Sequence, residues 1–265
     1  MKKSLIAFLL LILGSASVAY YFWSQATKLP DWYVSKGVSS DKLINLSNEV
    51  EVQAVKTKLQ EKIDTKIEDS INARQEVSPK LARLDGYEVN TDAPQNTQAQ
   101  ENSRPIQIDL SEKDFNELVV SSVAENRPDS KVLETTKGFN TTIKDGNLES
   151  GAVINVSEIP KEKLEQREKA FVEKITKTFP FLENQDVYIG IEGKPKVENG
   201  QLKFEEDTRI KLGNLSLTIS ELSQKLGIPE DKIKERLKLE LELGKLKISD
   251  IEFNDNNALI KGSVN

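Results

Sequence analysis

Glu205, Glu206 and Asp207 form the densest run of carboxylates in the C-terminal part of the chain. Paired carboxylates are what glycoside hydrolysis needs. On an extended strand, however, neighbouring side chains point to opposite faces, so these three would not converge. A solvated strand edge is the expectation. Asp250, Glu252, Asp255 and their neighbouring asparagines offer oxygen ligands of the kind calcium takes. The Asp/Asn-rich loop with its Gly and closing Glu is missing, so a plain Asn/Asp turn is expected. The 265 residues contain no His and no Cys. That removes the commonest general base, the thiolate nucleophile and every Ser-His-Asp or Cys-His arrangement. No residue is therefore assigned a catalytic, metal-binding or cofactor-binding role, and the chain reads as a non-enzyme.

The net charge is -6, from 43 acidic and 37 basic residues that are evenly mixed. This provides no basic field for phosphates and argues against nucleic acid as a partner. Asn45, Asn140, Asn155 and Asn214 each begin an N-x-[ST] triplet. Most fall in or beside expected strands, and they read as incidental.

The elements that carry the rest of the chain begin with its N-terminus. Met1, Lys2 and Lys3 precede an apolar run from Leu5 to Trp23, close to the roughly 20 residues a membrane-crossing helix needs. The two lysines set the N-terminus in the cytoplasm and the body outside. Tyr20, Tyr21, Phe22 and Trp23 stand where an interfacial aromatic belt belongs. A second reading is a signal peptide cleaved after Ser17-Val18-Ala19. Residues 1–23 are thus a signal-anchor, and 24–87 hold a juxtamembrane connector followed by one long amphipathic helix. In the connector, Trp32 and Tyr33 are expected on lipid headgroups or on the following helix. The helix is expected over 41–76, ended by Pro79, with a narrow stripe of Val52, Val55, Leu59, Ile63, Ile67 and Ile71. That stripe suits packing on the chain's own C-terminal domain, or else a partner. Residues 88–105 are polar and Gln/Asn-rich, and read as a flexible linker. Helix and linker together read as a tether.

Residues 106–265 read as an extracytoplasmic α+β domain. A strand over 106–110 leads into a helix capped by Ser111 and Asp114. Strands 132–144 and 148–156 meet at Asp145-Gly146, a hairpin signal. Pro160 opens a second helix whose buried face is Leu164, Phe171, Ile175 and Phe179. A strand over Val187, Ile189 and Ile191 is followed by an Asn199-Gly200 turn into one long strand to Leu217, kinked at Gly213. Short helices begin at Ser220 and Pro229, with Gly227 between them. Alternating leucines from Leu237 to Leu243 and a hairpin at Asn254–Asn257 close the chain. Leu212-Gly213-Asn214-Leu215 and Leu243-Gly244-Lys245-Leu246 echo each other in pattern.

This order resembles the YpmS-like family of membrane-anchored bacterial proteins. The resemblance rests on 106–116 (Ile106 to Asn116), on Pro195 to Phe204 and on Ile210 to Leu217. The connecting helix and linker are longer than that family would have. A more distant similarity is to tubular lipid-binding and LmeA-like domains, which implies a curved antiparallel sheet wrapped on helices around an apolar groove. The groove would be lined by Phe115, Leu118, Val119, Phe171, Ile175, Phe179, Leu215 and Leu217. The same residues would equally form an ordinary packed core. The expectation is a single-pass protein of the bacterial inner membrane whose body handles envelope lipids through their acyl chains. The alternative is a scaffold that binds another envelope protein through the 41–76 helix.

Overall fold

The computed structural model describes residues 20–34, 48–81, 106–126, 131–198, 200–241 and 243–264, the side chains of 49 and 73–81 excepted. The run Leu5–Ala19, the start of the expected long helix and the linker 88–105 lie outside the described residues. Among the described residues, no helix is long and apolar enough to cross a membrane.

The long helix, α1, spans Glu49–Leu81, so Pro79 falls in its last turn instead of stopping it. Its 3-4 stripe turns inward: Val52, Leu59, Ile63 and Ile67 are buried. Fully burying such a side chain stabilises by roughly 1.5–3 kcal/mol, so α1 belongs to the body's core. It packs on strand β1 (Ile106–Ser111) and on helix α2 (Glu112–Asn126). Lys66 Nζ donates to the Asp109 carbonyl at 2.8 Å and Ser70 Oγ to the Gln107 carbonyl at 3.1 Å. These two bonds cover carbonyls along an otherwise open sheet edge, which guards it against foreign strands.

The α2 cap forms as its sequence dictates. The Asp114 backbone N–H donates to Ser111 Oγ, and Ser111 Oγ donates to the Asp114 carboxylate at 2.7 Å. Lys62 of α1 reaches the same carboxylate at 2.6 Å. Burial alone would raise the Asp114 carboxyl, but the bonds from Lys62 and Ser111 outweigh it and hold the group below its ordinary value.

Three antiparallel sheets replace the single expected one. β1 pairs with β11 (Asn257–Val264), which pairs with β10 (Leu246–Asn254). The second sheet runs β2 (Thr136–Lys144), β3 (Asn147–Asn155), β4 (Asp186–Gly193), β7 (Arg209–Leu212) and β8 (Leu215–Thr218). The third joins β5 (Lys196–Glu198), β6 (Gln201–Lys203) and β9 (Leu239–Glu240). Asp145-Gly146 makes the β2–β3 turn with φ of 52° and 73°, the backbone a tight hairpin demands.

The long strand expected from Gly200 to Leu217 is broken into β6, β7 and β8, and Gly213 makes a two-residue turn in place of a kink. Its φ of +56° is a left-handed conformation that glycine adopts at little cost. Leu243 to Leu246 forms the same kind of turn about Gly244, so the sequence echo is an echo of turn chemistry.

Pro160 opens only a 3-10 turn. The second domain helix, α3, starts at Gln166 and runs to Thr178. Its buried residues are Val172 and Thr176, one step round from the expected face. Helix α4 (Ile219–Leu226) is capped by Thr218 and closed by Gly227, and α5 (Glu230–Arg236) follows Pro229.

Candidate membrane-proximal interface

Four consecutive aromatics stand exposed at the start of the described chain. Tyr20, Tyr21, Phe22 and Trp23 expose 68%, 59%, 52% and 46% of their surface. They occupy a helical segment over 20–26 that ends when Thr27 turns back on the Trp23 carbonyl. Large side chains left in water this way mark a contact surface.

The far end of this segment is not loose. Ala26 is fully buried. The Asn214 backbone N–H donates to the Gln25 carbonyl at 2.8 Å, and Asn214 Nδ2 to Gln25 Oε1 at 3.2 Å. A β-carbon on Gly213 would lie 2.4 Å from the Ala26 carbonyl oxygen, so only glycine allows this approach. Beyond Pro30, a single helical turn over Asp31–Val34 presents two rings to the sheet. Trp32 meets Tyr188 edge-on at 6.1 Å, and Tyr33 Oη donates to Asp186 Oδ2 at 3.5 Å. Trp32 and Tyr33 therefore rest on β4, on neither of the surfaces expected for them. Residues 25–33 form a strap across one end of the five-stranded sheet.

The sheet face beneath the strap is built to receive it. Gly151 on β3 and Gly190 on β4 pair directly, and the Tyr188 ring lies across them. A β-carbon at Gly151 or Gly190 would come within 2.7 or 2.6 Å of that ring or its hydroxyl. Tyr188 is buried and donates to Glu149 Oε1 at 2.8 Å. Burial, then the Glu149 charge, push its hydroxyl well above the usual tyrosine value. Glu149 and Glu192 face each other across the strands, and Lys211 sits 3.6 Å and 3.4 Å from them. Under the strap's end, Asp186 also takes Lys137 at 2.8 Å. Bonds from Asp186 and Glu158 push the Lys137 amine up to about 12.

At the other end of the same face is a shallow polar depression of about 180 Å³, lined by Thr142, Lys144, Asp145, Asn147, Glu149 and Glu192. From Asn155 to Asn147 the strand carries its far rim about 25 Å from the strap's end, at roughly 3.3 Å per residue, while its near rim, Glu149, accepts from the Tyr188 that Trp32 touches.

The residues expected to line a groove, Phe171 excepted, divide between two apolar clusters. Phe115, Leu118 and Val119 pack with α1 and the β1-β11-β10 sheet. Phe179 is buried in the second cluster, with Ile175, Leu215 and Leu217 against it. Phe171 lies under the Arg236 guanidinium, 4.9 Å from ring centre to Cζ, and in neither cluster. Of the described residues, Ala152 of β3 is one that touches both clusters.

The carboxylates do not converge either. Glu205, Glu206 and Asp207 sit in an exposed loop after β6, where Glu205 pairs with Lys196 at 2.7 Å. Asp250 and Glu252 both pair with Lys261, and Asp255 accepts from the Asp145 backbone. Among the described residues no group of three acidic side chains could hold a metal ion.

No protein-family model matches this chain. Comparison with curated proteins and with solved structures likewise gave no significant match.

The strap was the part sequence reasoning missed. Its signal was present in the glycines: two inside adjoining strands and one beside Asn214, each a place where another group comes close.

Proposed function

We propose that this chain is a single-pass membrane-anchored protein whose body works outside the cytoplasm as a non-catalytic module of the cell envelope. One observation carries the reading. Tyr20–Trp23 close the apolar run that begins at Leu5, stand exposed, and lead within three residues into a segment fixed to the body. Aromatics that belong at a membrane-water interface are thereby joined to a folded head by a short, ordered connection. A cleaved chain beginning at Tyr20 would leave the four rings in water at a cost of several kcal/mol relative to burial.

The body itself favours assembly over catalysis. The absence of His and Cys from the sequence, and the dispersal of Glu205–Asp207, Asp250, Glu252 and Asp255 among the described residues, support a binding role. The α1 stripe is engaged with the body, so a partner would meet some other surface. The lipid-handling alternative has one observation in its favour. The two clusters lie along one face of the five-stranded sheet and both touch the small side chain of Ala152. Parting them there would open an elongated apolar path, as the resemblance to tubular lipid-binding domains implies. Protein purified from membranes and sprayed from detergent in native mass spectrometry would then carry a lipid-sized adduct.

Membrane fractionation tests the anchor. The full chain is expected to stay with membranes through an alkaline carbonate wash and to be digested by protease added from outside. Release into the wash refutes the reading.

A further inference from the structure

The strap fixes which end of the head faces the bilayer. We infer that the head is seated on the membrane with the β7–β8 turn at the level of the lipid headgroups, in direct contact with that layer. The inference rests on the anchored reading above and adds an orientation and a second contact to it.

Three observations meet at this turn. The exposed aromatics Tyr20–Trp23 mark the interfacial level. Ala26 lies three helical steps beyond Trp23, about 5 Å at 1.5 Å per residue. Ala26 packs on Gly213, and Asn214 holds Gln25 by two hydrogen bonds. The headgroup region adds roughly 5–8 Å on each side of the hydrocarbon core. The turn therefore lies within that layer, and no flexible chain intervenes to lift it away.

The second attachment removes the remaining freedom. Helix 20–26 alone would permit the head to rotate about one point. Trp32 on Tyr188 and Tyr33 on Asp186 add a second point on the sheet. The strands of the five-stranded sheet then lead away from the bilayer. The turns at Asp145-Gly146 and Asp255-Asn256 stand at the outer end, about 25 Å further out. The chemistry at the seated end suits headgroups: Asn214 and Ser216 are exposed and polar, and Lys28 is an exposed cation in the strap.

The absence of cysteine makes the test direct, because a single introduced cysteine labels one place. Ser216→Cys beside the turn and Asp255→Cys at the outer end are each labelled with a fluorophore. The full chain is reconstituted in phosphatidylcholine vesicles containing headgroup spin-labelled lipid. Several-fold stronger quenching at 216 than at 255 is the expected result. Adding Trp32→Ala to the Asp255→Cys chain is expected to raise its quenching toward that at 216, because the head then pivots about the β7–β8 turn. A chain that floats with the vesicles but is quenched equally at both places overturns the orientation and leaves the anchor standing. Quenching at 255 that Trp32→Ala leaves unchanged overturns the strap's part in it. A chain that does not float overturns the anchor, and the orientation with it.

Discussion

Gly213→Ala loosens the strap's attachment at the β7–β8 turn without touching either core. The new methyl carbon would lie 2.4 Å from the Ala26 carbonyl oxygen, where real contacts do not come under 3.0 Å. The strap must retreat by roughly 0.6 Å or more, which stretches the 2.8 Å bond from Asn214 to Gln25 to the edge of hydrogen-bonding range. Alanine also costs about 1–2 kcal/mol at the left-handed φ of +56°. That second cost falls on the fold as a whole, so a control is needed. Gly200→Ala supplies it, with φ of +77° and nothing within 4 Å of the added carbon. Docking is read by oxidative cross-linking of a Gln25→Cys, Asn214→Cys pair. Those replacements remove the side-chain bond, so only the backbone bond is at stake, worth about 0.5–1.5 kcal/mol. Cross-linking should slow roughly 2- to 12-fold in Gly213→Ala and stay unchanged in Gly200→Ala. Equal rates with and without Gly213→Ala would refute the reasoning.

Ile63→Ala in α1 should cost about 2–5 kcal/mol, because the side chain is 1% exposed and the surroundings cannot fully collapse. A urea unfolding midpoint that barely moves would remove α1 from the core. Lys62→Met strands a buried carboxylate and should cost about 1–2 kcal/mol, since Lys62 is itself half-exposed. Asp114 titrates below its ordinary value of 3.8, so its contribution is complete above that pH and fades as pH falls through the lower folded value. Lys62→Met should therefore flatten the acid limb of the stability profile. Tyr188 and Tyr33 are both raised above 10.0, by burial first and then by Glu149 and Asp186 respectively. Their contributions are complete below pH 10 and are lost as pH rises through the folded values. Thermal melts should show this alkaline decline, and Tyr188→Phe should lessen it while costing about 0.5–1.5 kcal/mol at neutral pH.

What could be read from sequence was what neighbouring residues decide among themselves. The Ser111–Asp114 cap, the Asp145-Gly146 turn, the Gly227 helix end and the α1 stripe all follow from residues within a few positions of each other. The α+β class with antiparallel sheets follows from the same signals. Assignments that depend on distant groups did not follow. Phe171 and Val172 are equally apolar, and only the position of Arg236 and the sheet decides which is buried. Gly213 reads as a kink until the strap is placed against it. Trp32 meets its neighbour Tyr33 edge-on, but the contact that seats it on the sheet is with Tyr188, far along the chain. A flexible tether also fitted the pattern of a long polar helix. Yet Lys56, Lys62, Lys66 and Ser70 on its polar faces bond to α2 or β1, and the helix belongs to the head.

The anchored reading depends on whether Leu5–Ala19 stays attached to the strap. The intact mass of the chain recovered from membranes decides this in one measurement. A mass that includes all 265 residues is predicted. A mass that begins at Tyr20 would contradict the account, because the aromatics would then have no membrane segment behind them.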